Sequence, residues 1–378
     1  MHRDDRRRER SVFTRPHGPC DIDRMQPSKP FRMARGALER PGAVLPFLRL
    51  RAEELVYRLG DGRGPGQREL IAKLVDRERF VLVVLDACRF DAFREGYGGH
   101  LDGELDRAVS VAGNTPNYLR RTWTGEYDLT YVSANPQVTD EADRLQGMDY
   151  RPTEHLREII DVWAEFWDHE TGTTPPEPVT RVALDHLEAA DDGRMVVHYM
   201  QPHSPFVGDD PTLNAREMDP HREVVESTPG REGHWSEVAD ERGPKSIQES
   251  DAVRPTEYVQ QLYDRGEITG EDLRRAYRSN LERVLRAVRE LVVRVDPSVP
   301  VVVTADHGEM LGDVPFYGFA HPDTMHPAVR DVPWFRVDER IQGTVETAYE
   351  PGTEVAGEPN EELTVADRLR SLGYLQDG

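Results

Sequence analysis

The sequence predicts an α/β protein whose central sheet is mostly parallel and flanked by helices. Three apolar runs, Phe80-Val81-Leu82-Val83-Val84-Leu85, Met195-Val196-Val197-His198-Tyr199-Met200 and Val301-Val302-Val303, read as strands buried on both faces. Each run breaks into a polar cluster: Asp86, then Gln201-Pro202-His203, then Asp306-His307-Gly308-Glu309. Segments of helical period separate the runs, which is the alternation that βα units produce.

Residues 1–36 are polar, charged and aperiodic, and are expected to be disordered, with Met25 and Met33 as alternative starts. Residues 37–59 form a helix carrying Leu45, Phe47, Leu48, Leu50, Leu55 and Leu59. Its Arg residues suit an anionic membrane surface, although packing on the domain is the commoner explanation. A turn-rich linker at 60–66 precedes a helix through Leu70, Ile71 and Leu74. The first strand follows at 80–86, then a Gly-rich loop at 96–103 and a short strand at 108–112. Gly113-Asn114-Thr115-Pro116-Asn117 ends that strand, and a helix starts near Pro116, since Pro is tolerated in a first helical turn.

Residues 129–133 are the next strand. Residues 154–169 are expected to be one amphipathic helix, with Leu156, Ile159, Ile160, Trp163 and Phe166 on its apolar face. Another helix runs from Pro175–Pro178 to about Ala190, before the strand at 195–200. The acidic stretch 209–254, rich in Pro, Gly and Ser, reads as a lid or insertion, with His221 and His234 solvated. Helices are expected at 256–264 and 270–295. The second has Leu273, Tyr277, Leu281, Val284, Val288 and Leu291 at helical spacing and Thr269 as its cap. After the strand at 301 come a His-bearing loop, 317–326, and a strand at 332–337. One catalytic domain is thus expected over 37–340, and 341–378 reads as an acidic linker with a last helix at 363–372.

Hydrophobic residues make up 37% of the 378, enough for a sizeable core, and the net charge of -22 argues against nucleic acid as a partner. Of 48 basic residues only Lys29, Lys73 and Lys245 are lysines, a balance that suggests a protein kept soluble in high salt, as in a halophile. Two cysteines, Cys20 and Cys88, indicate no disulfide framework. No apolar run approaches a membrane span, and the amino terminus lacks the apolar segment of a secretory signal, so a reducing cytoplasm is expected.

Open α/β sheets place ligands at the carboxyl ends of their strands. Asp86 and Asp306-His307, each at such an end, offer hard oxygens and an imidazole nitrogen to one shared divalent cation, and either motif alone also reads as a strand-end Asp capping a helix. His203 ends the third strand, and His321 and His326 follow in the later loop. Thr115 lies just before a helix, where its hydroxyl faces the end that binds anions. His198, inside an apolar strand, reads as a core histidine, and Cys88 as a small buried packing residue.

The segments VVLDACRFDAF, HYMQPHSPF, TADHGEMLG and HPAVRDVPWF resemble the alkaline phosphatase superfamily, in particular its sulfatase-like hydrolases and phosphoglycerol transferases. The likeness runs from about Val81 to Phe335, and TADHGE is its most specific part. It implies an alkaline-phosphatase-like sandwich with one or two divalent cations (Mn, Mg, Zn or Ca). It also implies a metal-dependent hydrolase or transferase of phosphate or sulfate esters. Asp86 matches the first metal-binding carboxylate, and Asp306 with His307 completes that site. Thr115 matches the nucleophile, which also contacts the metal, with Asn114 and Ser110 as competing alignments. His203 matches a histidine at the transferred group, His326 or His321 a late histidine serving a second metal or the leaving group, and Arg89 a residue neutralising the anionic substrate.

The chain departs from those relatives at four points. It has no Cys-x-Pro-x-Arg, which disfavours ordinary sulfatase activity, and phosphoesters are favoured because the candidate nucleophile is an unmodified Thr. It has Asp86-Ala87 where adjacent Asp residues are common, and His198 and His203 where two-zinc members place an Asp and a His. Pro116 follows Thr115 directly, where relatives have Pro two positions on. The alternative is a non-catalytic metal- or anion-binding module that keeps the same fold.

Overall fold

A computed structural model describes residues 41–60, 64–139, 150–189, 193–217 and 255–344. The chain divides into two units, residues 1–44 and 45–378, and of the first only residues 41–44 are described. The expectations for 1–36, for most of 209–254 and for 345–378 lie outside the described residues.

A seven-stranded sheet organises the second unit. Its order is β2 (Gly103–Val109), β9 (Asp331–Val337), β6 (Val301–Ala305), β1 (Phe80–Leu85), β5 (Arg194–Tyr199), β3 (Tyr127–Ser133) and β4 (Leu156–Asp161). β1, β3, β4, β5 and β6 run parallel, and β9 runs antiparallel to both its neighbours. β1 is the middle strand, in register with β6 (Val81↔Val301) and β5 (Val81↔Met195). All six of its side chains are fully buried, as its unbroken apolar run demands. Each such aliphatic side chain contributes about 1.5–3 kcal/mol by leaving water.

Helices cover both faces. On one, α6 (Pro176–Ala189) and α8 (Gly270–Val292) pack together; Tyr199 and Thr180 share a 2.8 Å hydrogen bond, and the Thr180 hydroxyl reaches Ala287 O at 3.0 Å. α8 starts with a capping box between Thr269 and Asp272 and buries the stripe from Leu273 to Leu291. On the other face, α2 (Gln67–Val75) anchors through Gln67, which donates to Thr304 Oγ1 at 2.9 Å and to Ala305 O at 2.5 Å. There α4 (Thr115–Thr122) leads into Trp123, which packs edge-on against Tyr131 of β3.

Two expectations are corrected. Residues 154–169 are not one helix: Leu156–Asp161 is the edge strand β4, and only Val162–Phe166, α5, is helical. The spacing of Leu156, Ile159, Ile160 and Trp163 imitates a helix. The adjacent Ile159 and Ile160 instead sit on the pleat of β3, opposite Tyr131 and Val132, where β-branched residues pack well. The strand expected at 108–112 lies earlier, at Gly103–Val109, because β9 supplies a ladder from Val337↔Gly103 to Asp331↔Val109.

Beyond β6 the chain makes a small hairpin, β7 (Met310–Leu311) with β8 (Phe319–Ala320), before α9 (Pro327–Arg330) and β9. Phe319 and Leu311 join Phe206, Val259 of α7 (Pro255–Asp264), Leu273 and Tyr277 in a satellite core. Helix α1 (Pro41–Leu59) and α3 (Phe90–Gly96) complete the described elements.

Candidate functional site

The parallel strands β1, β5 and β6 all end on one edge of the sheet. Asp86, directly after β1, donates its N–H to Tyr199 O at 3.0 Å and accepts at its own carbonyl from His203 N at 3.1 Å, which ties the β1 and β5 ends together. Ala87 then turns the chain through the left-handed region, φ 58°, a conformation that costs an L-residue about 1 kcal/mol. The turn is held on both sides. Ala87 N–H donates to Asp306 Oδ1 at 3.0 Å, and Tyr277 Oη donates to Ala87 O at 2.7 Å while accepting from Arg89 N at 2.9 Å.

Thr115 opens α4, whose N-cap Asn114 accepts from Asn117 N at 3.1 Å. Its fully buried hydroxyl donates to Asp306 Oδ2 at 2.7 Å and lies 3.4 Å from His307 Nε2. That nitrogen is also 3.4 Å from Asp306 Oδ2 and 3.6 Å from Asp86 Oδ1. His307 Nδ1 is 2.8 Å from Gly308 O, an atom that only accepts, so Nδ1 carries the proton and the Nε2 lone pair faces the carboxylates. Gly308 is needed here, since a Cβ would meet Ala328 O at 2.2 Å.

The hairpin brings further groups. Its register sets Met310 opposite Ala320, so Glu309 and His321 flank that pair at the same end of the hairpin. The His321 ring lies 5.1 Å from both the His203 and His307 rings. His203 Nδ1 donates to the Ser204 carbonyl, leaving Nε2 as an acceptor. The ligand atoms of His203, Glu309 and His321 lie within 4.8 Å of one another, as do those of Asp86, His198 and Asp306.

Burial sets the electrostatics. It holds His307 and His198 down to about 4, so both are neutral imidazoles at pH 7. Burial pushes the Asp306 carboxyl up, against the pull of His198 and the Thr115 hydrogen bond. It also pushes Glu309 up to about 8, and Glu309 Oε2 is a buried atom with no hydrogen-bond partner among the described residues. Buried carboxylates are costly unless a cation or full hydrogen bonding offsets them. Asp86, Asp306 and His198 offer carboxylate and imidazole atoms within 4.8 Å of one another, and the His307 Nε2 lone pair and the Thr115 hydroxyl lie 3.4 and 2.7 Å from Asp306 Oδ2, all donor types that divalent cations take. These residues therefore fit the divalent metal expected from the sequence.

The structure brings Asp86, Thr115, Asp306 and His307 together, with His203 and His321 alongside. Two further expected residues, His326 and Arg89, line an adjoining cavity, Arg89 also bonding the backbone of Glu309. His326 caps α9, accepting from Ala328 N at 3.1 Å, and lines this cavity of about 340 Å³ with Arg89, Asp91 and Asp313. Arg89 donates to both Asp91 oxygens at 2.9 and 2.6 Å, to Asp313 at 2.6 Å and to Glu309 O at 3.3 Å. Two carboxylates thus compensate its charge. Of the competing positions, Ser110 donates to Asp306 O, a backbone atom, and Asn114 is the helix cap.

Four contributors escaped the sequence reading. Asn135 Nδ2 donates to Asp86 Oδ2 at 2.6 Å, just past β3, and the strand-end logic that singles out Asp86 applies equally there. His198 is more than a core residue: its Nε2 is 4.0 Å from Asp306 Oδ2, with Tyr131 Oη 3.0 Å from its Nδ1. Glu309 needed the hairpin register. Asp323 accepts from Gly113 N, Asn117 Nδ2, Arg121 and Arg330 at 2.9–3.1 Å, joining the Thr115 and His321 loops, and no sequence signal marks it.

No family model matches the sequence, and no curated protein matches it. Among solved structures, the chain is similar to the integral membrane lipooligosaccharide phosphoethanolamine transferase A of Neisseria meningitidis. That match has TM-score 0.38 and 15% identity, over 68% of this chain and 48% of that one. It is also similar to the phosphonate monoester hydrolase of Agrobacterium radiobacter, with TM-score 0.36 and 15% identity, over 70% of this chain and 68% of that one. A third likeness is to a 2-O GAG sulfatase, with TM-score 0.38 and 11% identity, over 69% of this chain and 64% of that one. The chain thus spans about half the length of the first of these proteins.

Proposed function

We propose that this chain is a metal-dependent enzyme that transfers or hydrolyses phosphate esters, in preference to sulfate esters, through Thr115. The observation that carries this reading is the Thr115 hydroxyl, buried at the first turn of α4, 2.7 Å from Asp306 Oδ2 and 3.4 Å from His307 Nε2. An unassisted Thr hydroxyl is a poor nucleophile. Asp86, Asp306, His307 and Thr115 would hold a divalent cation, whose positive charge would lower the hydroxyl pKa and offset charge on the transferred group.

Asp306 Oδ2 already receives the Thr115 hydrogen bond and takes the proton as Oγ1 bonds to phosphorus. The ester P–O bond breaks and the leaving oxygen takes the proton from Asp306 Oδ2, so that threonine and ester become phosphothreonine and free alcohol. Water or an acceptor alcohol then attacks phosphorus, giving its proton to His203 Nε2. The bond to Thr115 breaks, and that proton returns through solvent to Thr115 Oγ1, which restores the hydroxyl. The N-terminal end of α4 adds a field that favours the anionic group. His203, Glu309 and His321 are the candidate holders of a second cation.

The test is turnover of aryl phosphate mono- and diesters and of an aryl sulfate by metal-stripped protein refilled with Mn, Mg, Zn or Ca. Phosphate-ester turnover should depend on the metal. Thr115→Ala should lower it by roughly a thousandfold or more while metal affinity stays within about tenfold. Asp306→Ala should lose both. Turnover of the sulfate alone would overturn the phosphoester reading, and tight metal binding without turnover of any ester would assign a binding module instead.

A further inference from the structure

Helix α1 has its faces reversed relative to an ordinary surface helix. Its inward side is largely polar. Glu54 accepts from Tyr317 Oη and Thr324 Oγ1, both at 2.7 Å, and Tyr57 donates to Asp331 Oδ1 at 2.5 Å. Leu50, fully buried, and Phe47, edge-on to Phe316, are its inward apolar contacts. Outward stand Leu45 (75% exposed), Val56 and Leu59 (70% each), Leu48 (57%) and Leu55 (54%). These five are the large exposed hydrophobics among the described residues. Their spacing of three and four residues, with exposed Ala52 between, puts them on one continuous stripe.

We propose that this stripe is a docking surface for an anionic phospholipid bilayer, with α1 lying in the plane of the headgroups. No described helix is long and apolar enough to cross a membrane, and α1 carries Arg49, Arg51, Glu53, Glu54 and Arg58 within its nineteen residues. Charge selects the occupant. The forty residues that lead into α1 hold eleven basic and six acidic side chains, a net +5 in a chain whose total is -22. In sequence, therefore, the positive charge immediately precedes the stripe, a pattern that anionic headgroups attract. A second copy would add another net +5 segment to the assembly, whereas anionic headgroups would neutralise it. Glu54 clamps α1 to the loop that carries His321, so docking would engage an element joined to the candidate site.

The experiment is flotation of the full chain with phosphatidylcholine vesicles, with and without phosphatidylglycerol, for wild type and for the Leu48→Glu, Leu55→Glu double variant. Both positions are exposed, so the variant should melt at the wild-type temperature. The wild type should float with the phosphatidylglycerol vesicles, less at high salt, and the variant should bind about tenfold more weakly or not at all. Equal flotation of the two proteins, or equal flotation on neutral and anionic vesicles, would overturn the proposal. So would a dimer that the double variant abolishes together with an absence of vesicle binding, which would assign the stripe to a second copy.

Discussion

Asn135 is the residue whose removal most directly probes how the site is held. Its amide is 2.6 Å from Asp86 Oδ2. Partners that orient a metal-binding carboxylate are worth about 10–100-fold in metal affinity. Asn135→Ala should therefore weaken metal binding by roughly that factor, measured by competition with a chromophoric chelator, and an unchanged affinity would remove it from the site's support. The pair of Arg89 and His326 teaches the converse. Both carry the right chemistry and neighbour the right motifs, yet Asp91 and Asp313 hold one and a helix N-terminus takes the other. Asp91 and Ala328 N lie two residues from their partners, and only Asp313 arrives from far along the chain.

At the scale of elements, the turn between β1 and α3 depends on α8. Tyr277 reaches from that helix to Ala87 O and Arg89 N, both buried backbone groups beside Asp86. Tyr277→Phe keeps the ring and leaves both groups without this partner, a loss of about 1–3 kcal/mol. Urea unfolding should show that loss, together with weaker metal binding as Asp86 loosens; a variant as stable as wild type would mean the turn holds itself. Helical period placed Tyr277 on the buried stripe of α8 in the sequence, but its hydroxyl partners are strand-end atoms nearly two hundred residues earlier. The failure at 154–169 has the same origin. Local spacing favoured a helix, and pairing with β3 decided for a strand.

For the whole molecule, the site sits where five elements meet: the ends of β1, β5 and β6, the start of α4 and the β7–β8 hairpin. A cation bound there should stabilise all of them at once. At a hundredfold excess over its dissociation constant it contributes about 2.7 kcal/mol. At roughly 2–4 °C per kcal/mol for a chain of this size, metal-loaded protein should melt several degrees above chelator-treated protein. Asp306→Ala should show no such gap; equal melting of loaded and stripped wild type would count against a cation in this place.

The sequence alone determined the α/β class, the three buried central strands and the polar clusters that end them. Those features are local: an unbroken β-branched run needs burial on both faces, and an open parallel sheet exposes its carboxyl edge. It took the folded chain to show that Asn135 supports Asp86, that Glu309 and His321 come within 4.8 Å at the hairpin, that Asp323 joins the Thr115 and His321 loops, and that the apolar stripe of α1 faces outward. Each of these depends on pairing between distant segments, in which burial and hydrogen-bond satisfaction over the whole chain outweigh the preference of any one stretch.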